Sequence, residues 1–256
     1  MLVSLLATCL ALSRAALAAP TSAAATCDRD FLKAQTDAYI AAQTAGKADG
    51  LKASSSVTYT QNFKAATLAT GILATALKID HNRSTYDTTQ CATFTELIIT
   101  SSGSSHVIGT QMRFTDGALS KIETLVTSTG DWLFNPAGTL KYASAEAWTE
   151  IPAAKQDTRA VLQAGADAYL DLFNDKSVKV PWGSPCARLE GGSYVQPSCN
   201  VGVPSGIKNT NRRYVIDESL GSCDVFFSFG GNDPDSHEFR LENGKIRYVH
   251  TMTVMK

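Results

Sequence analysis

Two stretches of this 256-residue chain echo each other at matched positions, and that repetition restricts the fold more than any other feature. The later copy runs from Pro234 to Val254 and reads as two strands joined at Asn243-Gly244, a dipeptide suited to a tight hairpin turn. The earlier copy is Gln111–Thr124. Arg113 and Gly117 stand in it where Arg240 and Gly244 stand in the later one, both 127 residues on (240−113 and 244−117). Upstream, Leu32, Ala34, Asp37, Ala38 and Tyr39 recur as Leu162, Ala164, Asp167, Ala168 and Tyr169, 130 residues on (169−39). Both of these upstream segments carry apolar residues at three- and four-residue intervals, the mark of an amphipathic helix. Further strands are expected at Ala92–Thr100 and Asp224–Phe229. Each half therefore runs from a helix through an irregular middle into strands that end in a long hairpin. The expected fold class is α+β: two tandem cones, each a curved antiparallel sheet with a helix across its concave face. The boundaries are residues 27–140 and 155–256.

Composition narrows the function. Lys plus Arg number 23 against 24 acidic residues, which removes the electrostatic case for a nucleic-acid or anionic-membrane partner. No later segment is long or apolar enough to span a bilayer. Residues 1–19 read as a secretory signal peptide with Ala16-Leu17-Ala18 at its cleavage end, although the usual early Lys or Arg is missing. The expected location is the secretory pathway, secreted or vesicular.

Five cysteines remain after that signal, and an oxidising compartment favours pairing them. The expected disulfides are Cys27–Cys91, fastening the first helix to its sheet, and Cys186–Cys199, closing a loop in the second half. Cys223 is left as a buried free thiol. Asn82-Arg-Ser84 is a glycosylation sequon and predicts an exposed turn.

Candidate site residues fall into three groups. Ser54–Phe63 alternates as a strand would, with Tyr59 and Gln61 on one face and Asn62 on the other. Gln61 and Asn62 either orient a substrate or satisfy turn backbone. Glu123 and His250 each follow their hairpin glycine by six residues (123−117 and 250−244). Strict alternation puts them with Leu119 and Ile246 on the face towards the helix, where burial would perturb a carboxylate and an imidazole into acid–base groups. The alternative is a paired, structural role for each. The third group is Trp182, Arg188 and Glu190 beside Cys186, which with His237 and His250 form either an acid–base network or a salt-bridge lattice holding loops. His81 and His106 read as surface residues. The aromatics Trp132, Phe134 and Trp148 read as glue between the halves. Catalytic candidates are His250, Glu123 and Arg188; substrate-binding candidates are Tyr59, Gln61, Asn62, Trp182 and Tyr39. Nucleophile elbows, phosphate loops and helical zinc-binding His pairs are missing from the sequence, so the expected chemistry uses no cofactor and no metal.

The segments VPWGSPCARLEGG, RRYVIDE and PDSHEFRLENGKIRYVHT resemble a fungal secreted family built from nuclear-transport-factor-2-like (NTF2-like, SnoaL-like) units, over essentially the whole mature chain. Within it the sequence resembles the hetero-Diels–Alderases of tropolonic sesquiterpene biosynthesis. That resemblance implies two NTF2-like cones and small-molecule polyketide and terpene substrates. A hydroxymethyl tropolone would lose water to an ortho-quinone methide, which adds across a double bond of a humulene-type terpene to give a dihydropyran. A dry cavity would align the partners, while a donor polarises the quinone carbonyl. Tyr59, Gln61, His250 and Arg188 are the residues that could serve. The competing readings are an isomerase or dehydratase acting on another polyketide or terpenoid, and a secreted carrier of apolar metabolites. A homodimer is possible by analogy with such sheets.

Overall fold

The computed structural model describes residues 27–255, so the expected signal peptide at residues 1–19 lies outside the described residues. The first half opens with α1 (Arg29–Ala45), capped by the Asp28 carboxylate, which accepts from the Phe31 backbone N–H, and ended by Gly46 in the left-handed region. It continues through β1 (Ala53–Gln61), β2 (Lys64–Ala66), β3 (His81–Asp87), β4 (Ala92–Ile99), β5 (His106–Thr115) and β6 (Ala118–Thr127). After α2 (Pro136–Ala143) the second half repeats the pattern: α3 (Arg159–Leu172), β7 (Trp182–Glu190), β8 (Ser193–Val195), β9 (Thr210–Asp217), β10 (Ser222–Phe229), β11 (Asp233–Glu242) and β12 (Lys245–Thr253). The strand orders are β2-β1-β6-β5-β4-β3 and β8-β7-β12-β11-β10-β9, the same order twice. The chain is α+β, with two six-stranded sheets and three α-helices among the described residues.

Neither sheet is purely antiparallel, contrary to expectation. β1 runs parallel to β6, and β7 runs parallel to β12. Periodicity says which face a side chain takes but not which way the neighbouring strand runs. The pairs that close each sheet are therefore the ones local pattern could not orient.

Each helix buries its apolar stripe on one face of its own sheet. Leu32, Tyr39 and Ala42 meet Leu97, Ile108, Met112 and Ile122, while Leu162, Ala166, Tyr169 and Leu170 meet Val225, Phe227, Phe239 and Val249. The opposite faces pack on each other. Phe94, Ile98, Val107 and Leu125 from the first sheet join Leu189, Val215, Phe226 and Met252 from the second, with Leu140 and Ala143 of α2 at the edge. This leaves strands such as β4 buried on both faces, which suits their apolar and threonine-rich sequence.

The seam is reciprocal. Arg29 at the start of α1 donates from Nη1 to both oxygens of Asp217 at 2.9 and 3.0 Å, and Arg159 at the start of α3 forks onto Asp87 at 2.8 Å for both bonds. The same two carboxylates accept the Tyr86 and Ile216 backbone N–H groups across the seam. All three pairs of equivalents differ by 130 (159−29, 217−87, 216−86). Such self-complementary pairing is the signature of a two-fold interface, made here within one chain.

Both expected disulfides form, Cys27–Cys91 and Cys186–Cys199, and Cys223 is free and buried. No helix among the described residues is long and apolar enough to cross a membrane. Asn82 is exposed as expected, but it lies on the edge strand β3 and not in a turn. His81 beside it is half-buried on the same strand.

Candidate functional site

The second half holds a cavity of about 380 Å³ between α3, its sheet and the loop tied down by Cys186–Cys199. Tyr169, Phe173, Phe229 and Ile207 supply apolar wall, and Arg188, Glu190, Asp235 and His237 supply polar groups. A pocket of this size and mixture suits a small, largely apolar molecule.

Asp235 and His237 sit two residues apart on β11, so both side chains turn to the helix-covered face. His237 Nδ1 lies 2.7 Å from Asp235 Oδ1, and Thr253 Oγ1 donates to Asp235 Oδ2 at 2.6 Å. The carboxylate thereby fixes the imidazole tautomer and leaves the second ring nitrogen for the cavity. The ring is wedged among Tyr169, Phe227 and Phe239, with centroids 5.5, 5.2 and 6.0 Å away. Burial pushes the Asp235 carboxyl above its ordinary range, against the pull of His237 and Thr253.

Arg188 comes from β7 with its side chain 8% exposed. All its polar contacts are long: 3.4 Å to the Tyr169 hydroxyl, 3.5 Å to the Cys199 carbonyl and 3.3 Å to Glu190. Its buried Nε has no hydrogen-bond partner. A buried guanidinium with under-used donors is prepared to receive an acceptor oxygen from a ligand. Burial pushes the Tyr169 phenol up to about 12, with Arg188 opposing, so this hydroxyl keeps its proton. Trp182 packs its ring on Tyr169, centroids 5.5 Å apart, and stands behind the cavity wall.

The other sequence candidates lie elsewhere. Glu123 and His250 do not share the face of Leu119 and Ile246. Each hairpin carries a β-bulge: Arg113 pairs with Lys121 but Phe114 with Leu119, and Arg240 pairs with Tyr248 but Leu241 with Ile246. The extra residues, Ser120 and Arg247, reverse the alternation, so Glu123 and His250 turn away from their helices into the seam. His250 reaches Glu146 Oε2 at 2.7 Å through Nε2 and Glu96 Oε1 at 3.2 Å through Nδ1. Arg83 stands 3.0 Å from Nδ1, is ion-paired to Glu96 and Glu238, and stacks on the Trp148 ring at 3.9 Å. Burial and Arg83 favour the neutral ring, yet Glu96 and Glu146 outweigh them and raise His250 to about 9. The charged ring donates from both nitrogens, and the carboxylates hold Arg83 beside it. The cavity next to this cluster is only about 10 Å³, too small for a substrate.

Tyr39, Tyr59, Gln61 and Asn62 belong to the first half. Tyr39 bonds Thr110 at 2.7 Å, Tyr59 donates to Gln61 at 3.2 Å, and Gln61 accepts from the Ile72 backbone N–H at 2.7 Å. Asn62 brackets Val126 with both ends of its amide, the backbone-satisfying role that was the alternative for it. The structure brings together Arg188 and Glu190 with Asp235 and His237, and separates them from His250 and Glu123. Asp235 was the residue that sequence reasoning passed over, though its two-residue spacing from His237 on a strand was a usable signal.

A protein-family profile described as a domain of unknown function (DUF8021) matches residues 155–253. The match takes in α3, all six strands of the second sheet, and the Arg188–Glu190–Asp235–His237 set. No curated protein matches the chain.

Proposed function

We propose that this protein is an enzyme that aligns a small apolar substrate in the cavity of the second half and moves a proton there through His237. We further propose that each half is an NTF2-like cone, a reading supported by the helix laid over one face of each six-stranded sheet. The observation that carries the functional reading is the Asp235–His237 pair, buried yet facing an aromatic-walled cavity. A carboxylate-oriented imidazole is a general acid–base unit, and Arg188 is placed to stabilise negative charge developing on a substrate oxygen.

The specific reaction we propose is the one implied by the family resemblance, hetero-Diels–Alder addition of a tropolone ortho-quinone methide to a humulene-type terpene. His237 would accept the hydroxyl proton of the hydroxymethyl tropolone as the carbon–oxygen bond to the leaving hydroxyl breaks. The departing hydroxide takes that proton back from His237 and leaves as water, so the imidazole returns to its starting form. Addition across the alkene then forms one carbon–carbon and one carbon–oxygen bond, with Arg188 polarising the carbonyl oxygen. These assignments give Asp235 and His237 the roles that sequence alone gave to Glu123 and His250. A related dehydratase or isomerase would use the same groups, whereas a carrier would need the cavity without the proton transfer.

Purified protein with a hydroxymethyl tropolone and humulene tests the reading against a protein-free control. We expect faster adduct formation with one enantiomer in excess, and a rate loss of about 10²-fold or more in Asp235→Asn and His237→Ala. Racemic product at the background rate rejects the cycloaddition for these substrates. Unchanged turnover in both variants rejects the acid–base role.

A further inference from the structure

The wall of the cavity is not built by the second half alone. Trp132 lines it, although it lies in the segment between β6 and α2 and so precedes the second half. The side chain is 48% exposed, yet its Nε1–H donates to Glu190 Oε1 at 2.8 Å. Glu190 in turn pairs with Arg188 at 3.3 Å, so the indole is tied to the charged floor of the cavity.

The segment is held in place by close backbone approach. Asn135 N donates to the Gly191 carbonyl at 2.6 Å. A Cβ on Gly191 would come within 2.3 Å of the Trp132 carbonyl oxygen, and one on Gly192 within 2.3 Å of the Asn135 carbonyl oxygen. The Gly191-Gly192 pair therefore gives the segment a seat that no other residue type would leave open. Asp131 anchors it from the other side, accepting from the Ser128 and Met255 backbone N–H groups at 2.8 and 2.7 Å. The seat and the anchor bracket Trp132, whose own hold is a single hydrogen bond on the side chain.

Met255 lines the cavity and is 44% exposed; Leu133 (47%) and Val201 (42%) are chain neighbours of the lining residues Trp132 and Gly202. The exposed apolar side chains on the lining itself, Trp132 and Met255, mark where an apolar ligand meets the cavity.

We propose that Trp132 is the gate of this cavity and the residue that sets the largest ligand it admits. The indole swings on its side-chain torsions between a closed position latched to Glu190 and an open one, on a fixed backbone seat. This inference rests on the reading of the second-half cavity as the ligand site.

The test uses the full chain and two fluorescent probes of different size, 1-anilinonaphthalene-8-sulfonate and its dimer bis-ANS, which combine apolar rings with an anion for Arg188. Stopped-flow fluorescence gives association and dissociation rates. Trp132→Phe keeps the ring and removes the latch; we expect both rates for the smaller dye to rise about tenfold while Kd moves by less than about twofold. Trp132→Ala should bind bis-ANS about tenfold more tightly than the wild-type protein does, because the aperture is wider. A purely structural Trp132 would lower the melting temperature and leave both rates within about twofold of wild type. Rates and dye selectivity within about twofold of wild type in both variants overturn the gate. Ile207→Trp and Arg188→Met are the controls for the underlying reading. If neither weakens binding of the smaller dye, the cavity does not take up an apolar anion, and the ligand site and its gate fall together. If both weaken it and the Trp132 variants do nothing, the gate alone is wrong.

Discussion

The two halves share a strand order, a bulge position and a helix, and differ in what fills the space under that helix. Register makes the comparison residue by residue. Tyr59 and Gln61 pair with Ile122 and Thr124, as Arg188 and Glu190 pair with Val249 and Thr251, each partner 127 residues on (249−122 and 251−124). By the same offset Thr110 stands where His237 stands, and Ile108 where Asp235 stands (237−110 and 235−108). The first half thus carries Tyr59, Gln61, Thr110 and Ile108 at the positions where the second carries Arg188, Glu190, His237 and Asp235. Its polar groups bond one another, as Tyr39 to Thr110 and Thr110 to Thr124. Leu73 and Leu77, each 2% exposed, fold down from the segment between β2 and β3 and fill the interior. In the second half the matching segment brings Gly202, Pro204 and Ile207, which line a space instead of filling it. One copy of the unit is closed by leucines, and the other is kept open with ionisable groups on its wall.

That difference is tested most directly by removing matching side chains. Leu73→Ala empties a filled core and should destabilise the protein by about 2–5 kcal/mol. Ile207→Ala enlarges a space that already exists and removes a half-buried side chain, so about 1 kcal/mol is expected. Urea unfolding of both variants, followed by far-UV circular dichroism, checks the pair. Equal losses would mean that the second cavity is as tightly packed as the first interior and break the comparison. The activity of Leu73→Ala, measured where the folded form still dominates, should stay near wild type because the groups proposed to react all lie in the second half.

Much of this was legible in the sequence, and the failures are specific. The duplication at offsets of 127 and 130, the hairpin turns and both helices could be read because turn chemistry and helical period are local. Asn243 and Gly244 have φ of 53° and 69°, and Asp116 and Gly117 have 50° and 76°, as the turn residues required. What could not be read was the parallel closure of each sheet, since direction is a long-range property. The bulges cost more. One inserted residue, Ser120 or Arg247, moved Glu123 and His250 to the opposite face and with them the expected site. Arg188 was found because its neighbourhood was dense in polar groups. Trp132 was read as glue between halves, and only three-dimensional contact ties it to Glu190.

The seam supplies a second comparison, between positions 250 and 123. His250 is covered by Glu146 and Trp148 from the connecting segment, and its ring lies 5.6 Å from that of Trp148. Glu96 beside it is held at about 2, because His250 and Arg83 overcome the cost of burial. The His250 proton therefore belongs to the folded state. Its pKa rises from an ordinary 6.5 to about 9 on folding, so the stabilisation is fully present below about pH 6.5 and is lost as pH rises through about 9. Denaturant midpoints should fall between pH 7 and pH 9.5, and His250→Gln should remove most of that slope. A slope that survives the substitution assigns the proton to another group.

Glu123 is the counterpart at the groove end of the seam; it is itself only 6% exposed, but its partners are not enclosed, so it should give the smaller effect of the two. It pairs with Lys121 at 2.7 Å and Arg213 at 2.9 Å, and Arg213 stacks on Phe63 at 4.4 Å much as Arg83 stacks on Trp148. Here, however, the groove beside the cluster is lined, among the described residues, by the two sheets and their loops and not by the connecting segment. Lys121 and Arg213, with side chains 38% and 23% exposed, line an open groove of about 540 Å³ beside Glu123, where water can solvate both cations once the buried carboxylate is neutralised. Glu123→Gln should therefore cost about 1–2 kcal/mol, between an exposed pair and an enclosed one. The loss should also shrink as salt is raised, because the pairs lie within reach of screening ions. Unfolding in low and in roughly 0.5 M salt checks both parts, the Debye length at the higher concentration being about the length of one ion pair. A salt-independent loss above about 3 kcal/mol is the behaviour of an enclosed ion pair. That result would make the groove end of the seam as tightly closed as the His250 end, and the two-fold relation between them would then extend from backbone register to electrostatics.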